Sequence, residues 1–453
     1  MNFKVSLVSL ALLSSLSLST YAEDLLDIYK EALQRDTQVS QAKAEAQAAH
    51  AGLSEATAAL LPQIDVVGNL TKTRTNVIDA YNARGSNKQA TGAINLSQTL
   101  WRHSSWANRS IAEKTATLKD LAYADAQQNL IVRVSNAYFN VLNAADTLKF
   151  QKANNAALKR QLSEANRRFN VGLIAQTDKL EAQAAYDLSN AAVIAAENEL
   201  INSKSEIRML IGREIDVNKL AKIDESKFAA SSVSNDLIKI TKKAEENNLA
   251  LQQAVISRDI AKDNITLARS GHEPTLDFNA RAQTGYTEYD TQVAQAGFVD
   301  NNSWAHSVGL TLNIPIFHGG ATSAAVDKAQ ANYIYAQEGL EKAHRTLLTN
   351  VSNSYNNVNA AISSVTAYNN YKVSADSALS ATKAGYEVGT RTMTDVLNAT
   401  QNLYDAMQKS AQVTPLLSSA SIADELTKLA KLKESGILSE EEFQAQKSKL
   451  LGL

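Results

Sequence analysis

The sequence predicts a mainly α-helical protein with membrane-inserted β-strands, built from a duplicated unit of helix, β-hairpin and helix. Three observations lead to this fold class. Distant segments repeat at one constant offset, so that Gly172 and Asp178 recur as Gly389 and Asp395. Long stretches in both copies carry apolar or small residues in alternating steps of four and three, which is coiled-coil periodicity. Each copy also contains two segments in which apolar and polar residues alternate, the pattern of β-strands.

Residues 1–22 predict a secretory signal peptide. One basic residue, Lys4, precedes a serine-diluted apolar run from Val5 to Leu18, and a small-residue cleavage site ends at Ala22. The alternative is an N-terminal membrane anchor, but the run is shorter than the ~20 apolar residues that span a bilayer. We therefore expect the mature chain to be exported.

Composition excludes several classes of protein. The chain has no cysteine, so it cannot form disulfides, thiolate metal sites or a cysteine-linked lipid anchor. Its 45 basic and 47 acidic residues nearly balance, which leaves no field to attract nucleic acid. No run of 18 apolar residues follows the predicted signal peptide, so membrane insertion must use β-strands closed into a barrel.

Strand patterns lie at the same place in both copies. The clearest is at residues 303–317, where apolar residues alternate with small or polar ones. Four strands are fewer than the roughly eight that close a transmembrane barrel, so copies of the chain must share one barrel. The predicted strands are Pro62–Thr75, Ala90–Trp101, Pro274–Tyr289 and Ser303–Phe317, with exposed tips at 76–89 and 290–302.

The predicted helices are unusually long. At 1.5 Å per residue the longest would reach about 100 Å, far more than the thickness of a bilayer, so the helices must project into an aqueous space. Their core positions are rich in Ala and Ser, which favours close packing around a shared axis. The predicted helices are Glu23–Leu61, Ser104–Asn170, Thr177–Ile211, Asp236–Ser270 and Gly319–Glu387.

Five sequence motifs are specific enough to indicate a family. They are LLPQID from Leu60, AYFNVLNA from Ala137, RFNVGL from Arg168, GHEPTLD from Gly271 and GYEVGTRTMTDVL from Gly385. Over roughly Glu23 to Gln408, the chain resembles the TolC family of outer-membrane exit ducts. The resemblance implies a homotrimer in outer-membrane lipid, whose twelve strands form one barrel continuous with a long periplasmic α-helical barrel. It implies the exit duct of a tripartite efflux pump or type I secretion system, with a periplasmic adaptor (membrane fusion protein) and an inner-membrane transporter as partners.

The resemblance also implies a gate at the periplasmic tip. Polar contacts around the turns between coiled-coil helices close the family's tunnel, and the matching residues here are Thr177, Asp178, Tyr386 and Arg391. The residues alone allow a simpler interpretation. In it, Thr177 is a helix N-cap and Asp178 is a favourable acidic residue in the first turn, and Thr394 and Asp395 do the same in the second copy.

Two positions after the gating arginine are expected to set pore selectivity. Family members often carry two aspartates there, which form an acidic ring that selects cations. This chain has Asp395 at the first position and Asn398 at the second. Since the ring then carries half the charge, we expect weaker cation selectivity.

The C-terminal part departs from the family pattern. Pro415 should end the last helix early, because proline removes a backbone donor and clashes with the preceding turn. The segment that follows carries an apolar stripe and a capping box, and it resembles the short C-terminal domain called SHOCT. The predicted domains are a signal peptide at 1–22, a first repeat at 23–212, a connecting segment at 213–234, a second repeat at 235–414, a linker at 415–421 and a SHOCT-like helical hairpin at 422–453.

Catalysis finds no support in the sequence, and we expect neither an enzyme nor a bound cofactor or metal. The six histidines have no ligand spacing, and His272-Glu273 lacks the second histidine of a zinc motif. Two other functions stay open at this point. One is a soluble periplasmic coiled-coil adaptor or scaffold, and the other is an assembly-defective, truncated relative of the channel.

Overall fold

The computed structural model describes residues 23–76, 84–221, 236–289 and 301–412. The predicted signal peptide at 1–22, the linker at 415–421 and the hairpin at 422–453 lie outside the described residues. So do Pro415, most of the connecting segment at 213–234 and much of both strand tips.

Helices account for most of the described chain. Within it, none combines the length and the apolar character needed to cross a membrane. The longest, α3 and α7, have 68 and 67 residues. The helices are α1 Leu25–Arg35, α2 Thr37–Ala58, α3 His103–Asn170, α4 Gln176–Ile211, α5 Leu237–Asn247, α6 Leu249–Arg269, α7 Ala321–Glu387 and α8 at 393–412.

Each predicted first helix of a repeat is broken into two, which corrects the continuous helices expected over 23–61 and 236–270. The backbone turns extended at Asp36, with ψ of 125°, and at Asn248, with ψ of 118°. The Asn248 side chain accepts a hydrogen bond from the amide of Leu251 at 2.8 Å and so starts a new helix. The carboxylate of Asp36 accepts two hydrogen bonds of 2.9 Å from the guanidinium of Arg133 on α3.

The four strands form one antiparallel sheet in the order β1-β2-β3-β4. Pairing of β2 with β3 joins the hairpin of the first repeat to that of the second, and β1 and β4 lie at the edges. Two boundaries differ from the prediction. Strand β2 begins before Ala90, since its first residues pair with the end of β1, and β4 ends before Pro315, which has no amide to donate. The strands are β1 Gln63–Asn76, β2 Arg84–Trp101, β3 Thr275–Tyr289 and β4 Asn301–Asn313.

The two faces of the sheet differ in chemistry. The strand register places Val66, Ile94, Phe278 and Leu310 on one face, while Asp65, Asn95, Asn279 and Thr311 lie on the other. The apolar side chains are open to solvent in the single chain, as in Val308, which is 74% exposed. A sheet with an exposed apolar face and a polar opposite face fits a barrel wall between lipid and an aqueous lumen.

The described residues divide into two compact units. One holds residues 23–37, 127–221 and 354–412, and the other holds the sheet with residues 38–126, 236–289 and 301–353. In the first unit, α1 packs against α4 around Ile28, Ile207 and Ile211, all with no exposed surface. The hydroxyl of Tyr138 donates to the carbonyl of Ala221 at 2.6 Å, and burial raises the pKa of Tyr138. The predicted gate residues all belong to this unit.

Candidate functional site

Two helix turns with the same backbone geometry carry the predicted gate residues. The first connects α3 to α4 through Gly172 (φ +76°), and the second connects α7 to α8 through Gly389 (φ +80°). In both, the residue after the glycine donates its amide to the carbonyl five positions earlier, at 2.9 and 2.8 Å. This is the Schellman ending, in which a left-handed residue lets the chain satisfy the last helical carbonyls. The duplication is therefore preserved in backbone geometry.

A small apolar core holds the two turns together. It draws on α3, α4 and α8, and Ile174 and Tyr386 pack against it from the two turns. This packing brings the predicted gate residues of the two repeats to one end of the unit. The buried core residues are Leu158, Leu162, Ala165, Ala182, Met393 and Leu397.

The interpretation of Thr177 and Thr394 as N-caps is wrong. Helix α4 is preceded by Ala175, which makes no side-chain capping bond, so Thr177 lies within the helix. Helix α8 is capped by Thr392. Thr394 instead donates its hydroxyl hydrogen to the carboxylate of Glu181 on α4.

Tyr386 is the most enclosed of the predicted gate residues. The guanidinium carbon of Arg168 lies 5.1 Å from the centre of its ring, a cation-π contact between the repeats. Arg168 is in turn held by Glu164, whose carboxylate accepts a hydrogen bond of 2.7 Å. The Tyr386 hydroxyl is buried without a hydrogen-bond partner in the described part of the chain. Burial raises the pKa of Tyr386, the charge of Arg168 opposes this, and that of nearby Asp178 raises it further.

The remaining gate residues carry charges or hydroxyls at the surface of the two turns. Thr177 and Arg391 are exposed, and Asp178 is half-buried in the first turn of α4. Among the described residues, no acidic group lies within ion-pair distance of Arg391 and no basic group within that distance of Asp178. A single chain thus presents a cation and an anion that form no ion pair within the described residues, and the only carboxylate there on which the charge of Arg391 is seen to act is that of Asp395.

The predicted selectivity residues lie at the start of α8. Asp395 accepts a hydrogen bond of 2.9 Å from the amide of Thr392, and the Thr392 hydroxyl accepts one of 3.1 Å from the amide of Asp395. This reciprocal pair is a capping box, in which the carboxylate stabilises the helix start. It lowers the pKa of Asp395, mainly through the bond from the Thr392 amide. Asn398 is exposed and lies one turn further along.

Several contributors to this site were not predicted. Arg168 and Glu181 each contact a residue of the second repeat, and Glu164 holds Arg168 within α3. The carbonyl of Gly385 accepts the amide hydrogens of both Thr390 and Arg391. Arg168 and Gly385 stand inside the two motifs RFNVGL and GYEVGTRTMTDVL, so their place next to the turns was a usable signal. The contact of Arg168 with Tyr386 in the other repeat was not readable from one sequence.

The histidines do not cluster with other ligand-type residues. In the described ranges, no three His, Cys, Asp or Glu side chains come together as a metal site would need. Three histidines each contact a carboxylate on another element, and these contacts join helices or a helix to the start of a strand. The pairs are His50 with Asp120, His103 with Glu273 and His344 with Glu245.

The sequence matches the family described as outer membrane efflux protein at residues 28–213 and 240–428, and the short C-terminal domain SHOCT at 424–451. It is 40% identical to outer membrane protein TolC of Vibrio cholerae over 87% of this chain and 88% of that protein. It is 28% identical to the alkaline protease secretion protein AprF of Pseudomonas aeruginosa over 94% and 86%. Its fold is similar to that of the outer membrane protein VceC from Vibrio cholerae, with a TM-score of 0.70, 17% identity, and coverage of 88% and 94%.

These matches confirm the predicted fold class, the outer-membrane location with a periplasmic extension, and the role as an efflux or secretion channel. They contradict the alternative of a soluble adaptor. The two matched blocks overlap the two predicted repeats, and the second continues through the predicted linker to residue 428, so the domain boundaries stay predictions. The chain belongs to the outer membrane efflux protein family.

Proposed function

We propose that three copies of this chain form the outer-membrane exit duct of a tripartite efflux pump or type I secretion system, and that the turns at Gly172 and Gly389 close its periplasmic end. The duct works with a periplasmic adaptor and an inner-membrane transporter, and its transport role requires no catalytic site of its own. The carrying observation is that Asp178 and Arg391, two opposite charges near Tyr386, form no ion pair within the described residues of a single chain. In a ring of copies, each Arg391 can meet the Asp178 of its neighbour.

Such a latch is weak enough to be opened by a docking partner. An exposed ion pair contributes about 0–1 kcal/mol, so three of them hold a ring shut without making closure permanent. The exposed hydroxyl of Thr177 adds a hydrogen-bonding group at the same place. An adaptor that binds the helix turns would compete with these contacts and shift the population toward the open duct.

The gate is tested by passive conductance of the purified trimer in planar bilayers. Arg391→Ser and Asp178→Ala should each raise the conductance, and the double variant should add little, because both changes remove the same contact. Arg345→Ser is the matched control, since it removes an exposed arginine that pairs only along its own helix with Glu341. Wild-type conductance in both gate variants would rule out the latch.

We propose further that Asp395 and Asn398 line the pore beyond the latch. Their spacing of three residues puts both on one face of α8. One carboxylate per chain then gives a ring of three charges, and the neutral Asn398 leaves the second ring uncharged. Cation selectivity rests on Asp395 alone in this arrangement.

Two classes of cargo, proteins and drugs, are compatible with the duct. Similarity to a channel named for alkaline protease secretion favours proteins as cargo, and the family description favours efflux. Deleting the chromosomal gene and measuring both drug sensitivity and secreted protease would separate the two. A change in only one of them would identify the system that the duct serves.

We also propose that residues 422–453 form a SHOCT-like helical hairpin on a linker at 415–421, as the match at 424–451 supports. A pair of helices this short has too little core to fold alone, so it docks on another surface. Limited proteolysis of the intact trimer tests this. A docked hairpin resists cleavage within 422–453 and is cut first in the linker, whereas cleavage throughout 422–453 would show that no docked hairpin forms.

A further inference from the structure

Gly385 lies two residues before the end of α7, and its missing side chain leaves the space that Arg391 occupies. A Cβ atom added to Gly385 would lie 2.8 Å from Cγ and 3.5 Å from Cβ of Arg391. It would also lie 3.1 Å from Oγ1 of Thr390. Cγ is near the root of the arginine side chain, so the contact cannot be relieved by moving the guanidinium end alone.

The backbone on either side of this contact is fixed. The carbonyl of Gly385 accepts three hydrogen bonds, from the amide of Thr390 at 2.8 Å, from its hydroxyl at 3.1 Å and from the amide of Arg391 at 3.2 Å. These hydrogen bonds fix the backbone of the turn at Gly385, which is also the residue that the side-chain stem of Arg391 covers. Of the two groups in contact, the stem of Arg391 is the one that can yield.

The first repeat provides an internal comparison. At the positions of Gly385 and Arg391 it has Arg168 and Ile174, although the backbone turn is the same. Ile174 packs against the apolar core, and Arg168 reaches Tyr386, so this turn needs no open space for an arginine stem. The glycine is therefore not required by the turn itself. Glycine stands at this position in the repeat that carries an arginine six residues later.

We propose that Gly385 is a positioning residue for the gate, because it seats the stem of Arg391 and so sets where the guanidinium meets the neighbouring copy. This inference rests on the proposed latch. Gly385 is in an ordinary helical conformation, since it is absent from the glycines with positive φ. A side chain at residue 385 would therefore fit the helix, but it would occupy the space that the Arg391 stem fills.

Gly385→Ala is the direct test, because alanine favours helix over glycine. The variant trimer should melt no earlier than wild type, and its passive conductance should rise. Each lost surface ion pair changes the open-to-closed ratio by about fivefold or less, so we expect an increase of roughly a hundredfold or less for the three pairs of the trimer. Gly339→Ala is the matched control, since Gly339 lies in the same helix and an added Cβ would meet nothing within 4 Å. It should leave conductance unchanged.

A double variant separates this inference from the gate on which it rests. In an Arg391→Ser background, Gly385→Ala should add no further leak, because the stem that it displaces is gone. If Arg391→Ser leaks and Gly385→Ala conducts like wild type, the positioning role is wrong and the latch stands. If neither variant leaks, the latch itself is wrong. A leak in Gly385→Ala with early melting of the trimer would show general damage and would also overturn the positioning role.

Discussion

At the scale of single residues, Asp395 has two roles that both need its carboxylate to be ionised. Its carboxylate caps the first turn of α8 through Thr392, and we propose that the same charge attracts cations into the pore. Sequence comparison within the chain pointed to this position, because Asp178 and Asp395 share one offset. It misplaced the cap by two residues, since threonines at both 392 and 394 can cap a helix and only the backbone decides between them.

The capping role predicts a pH dependence at the start of α8. The bond from the Thr392 amide holds the pKa of Asp395 below its usual value of 3.8. Because the pKa of Asp395 is lower in the folded than in the unfolded protein, its carboxylate stabilises the fold fully at pH values above the unfolded-state pKa. This stabilisation is lost as the pH falls through the folded-state pKa. Hydrogen exchange at residues 395–396, corrected for intrinsic rates, should show constant protection from neutral pH down to about 5 and a loss only in stronger acid. Asp395→Asn should remove this dependence, and an unchanged profile in that variant would assign the titration to another group.

Restoring a second acidic ring should strengthen selectivity. Asn398→Asp adds three charges to the trimer one helical turn from Asp395, so the reversal potential in a salt gradient should move toward the cation limit. Asn398→Gln keeps the site neutral and serves as the control. An equal reversal potential in both variants would place residue 398 outside the pore.

At the scale of elements, the long helices followed from the heptad rhythm and the strands from alternation, because both patterns are local. The breaks at Asp36 and Asn248 were missed for different reasons. Asn248 is a local signal, an N-cap inside an apparently continuous pattern. The carboxylate of Asp36 instead pairs with Arg133, which is far away in sequence, while its amide keeps the helical bond to the carbonyl of Ala32.

The pair of Asp36 and Arg133 should be important for stability. The side chain of Asp36 is only 3% exposed, so Asp36→Ala leaves a partly buried guanidinium without its partner. Loss of one partner of such a pair costs about 3 kcal/mol. Glu45→Ala is the control, because its pair with Lys119 is exposed and is worth about 1 kcal/mol or less. Urea unfolding of the purified trimer compares the two, and equal midpoints would mean that the buried pair contributes no more than the exposed one.

At the scale of the whole molecule, the duplication explains how the chain divides its tasks. Each repeat supplies one hairpin to the sheet and one helix turn to the candidate gate. The sequence predicted this division from its repeated motifs, whereas the gate residues followed from the family resemblance and stay a prediction. Arg168 and Glu181 escaped prediction, since their roles arise from contacts between the repeats that no single repeat encodes. Gly385 escaped for another reason, because its contacts with Thr390 and Arg391 are local but depend on how the turn folds back.

The apolar face of the sheet predicts how the chain enters the membrane. Val308→Arg places a charge where lipid would lie and should cost about 2–4 kcal/mol if the residue is near the bilayer midplane. Thr311→Arg, on the polar face of the same strand, should be tolerated. Native mass spectrometry of mild-detergent extracts of outer membranes should find abundant trimer for wild type and Thr311→Arg and little for Val308→Arg. A wild-type monomer would instead identify an assembly-defective relative of the channel.

The pairing of β2 with β3 also sets the order in which the protein can mature. Residue Gln89 pairs with Thr287, so most of the polypeptide must leave the export machinery before the first hairpin gains its neighbour in the sheet. Contacts between such distant parts of a chain form slowly, because the intervening segment must first be restrained. Until then the hairpin has an unpaired edge that invites aggregation. On the way to the outer membrane, the edge of the first hairpin that pairs with β3 therefore stays open until the second repeat has been delivered.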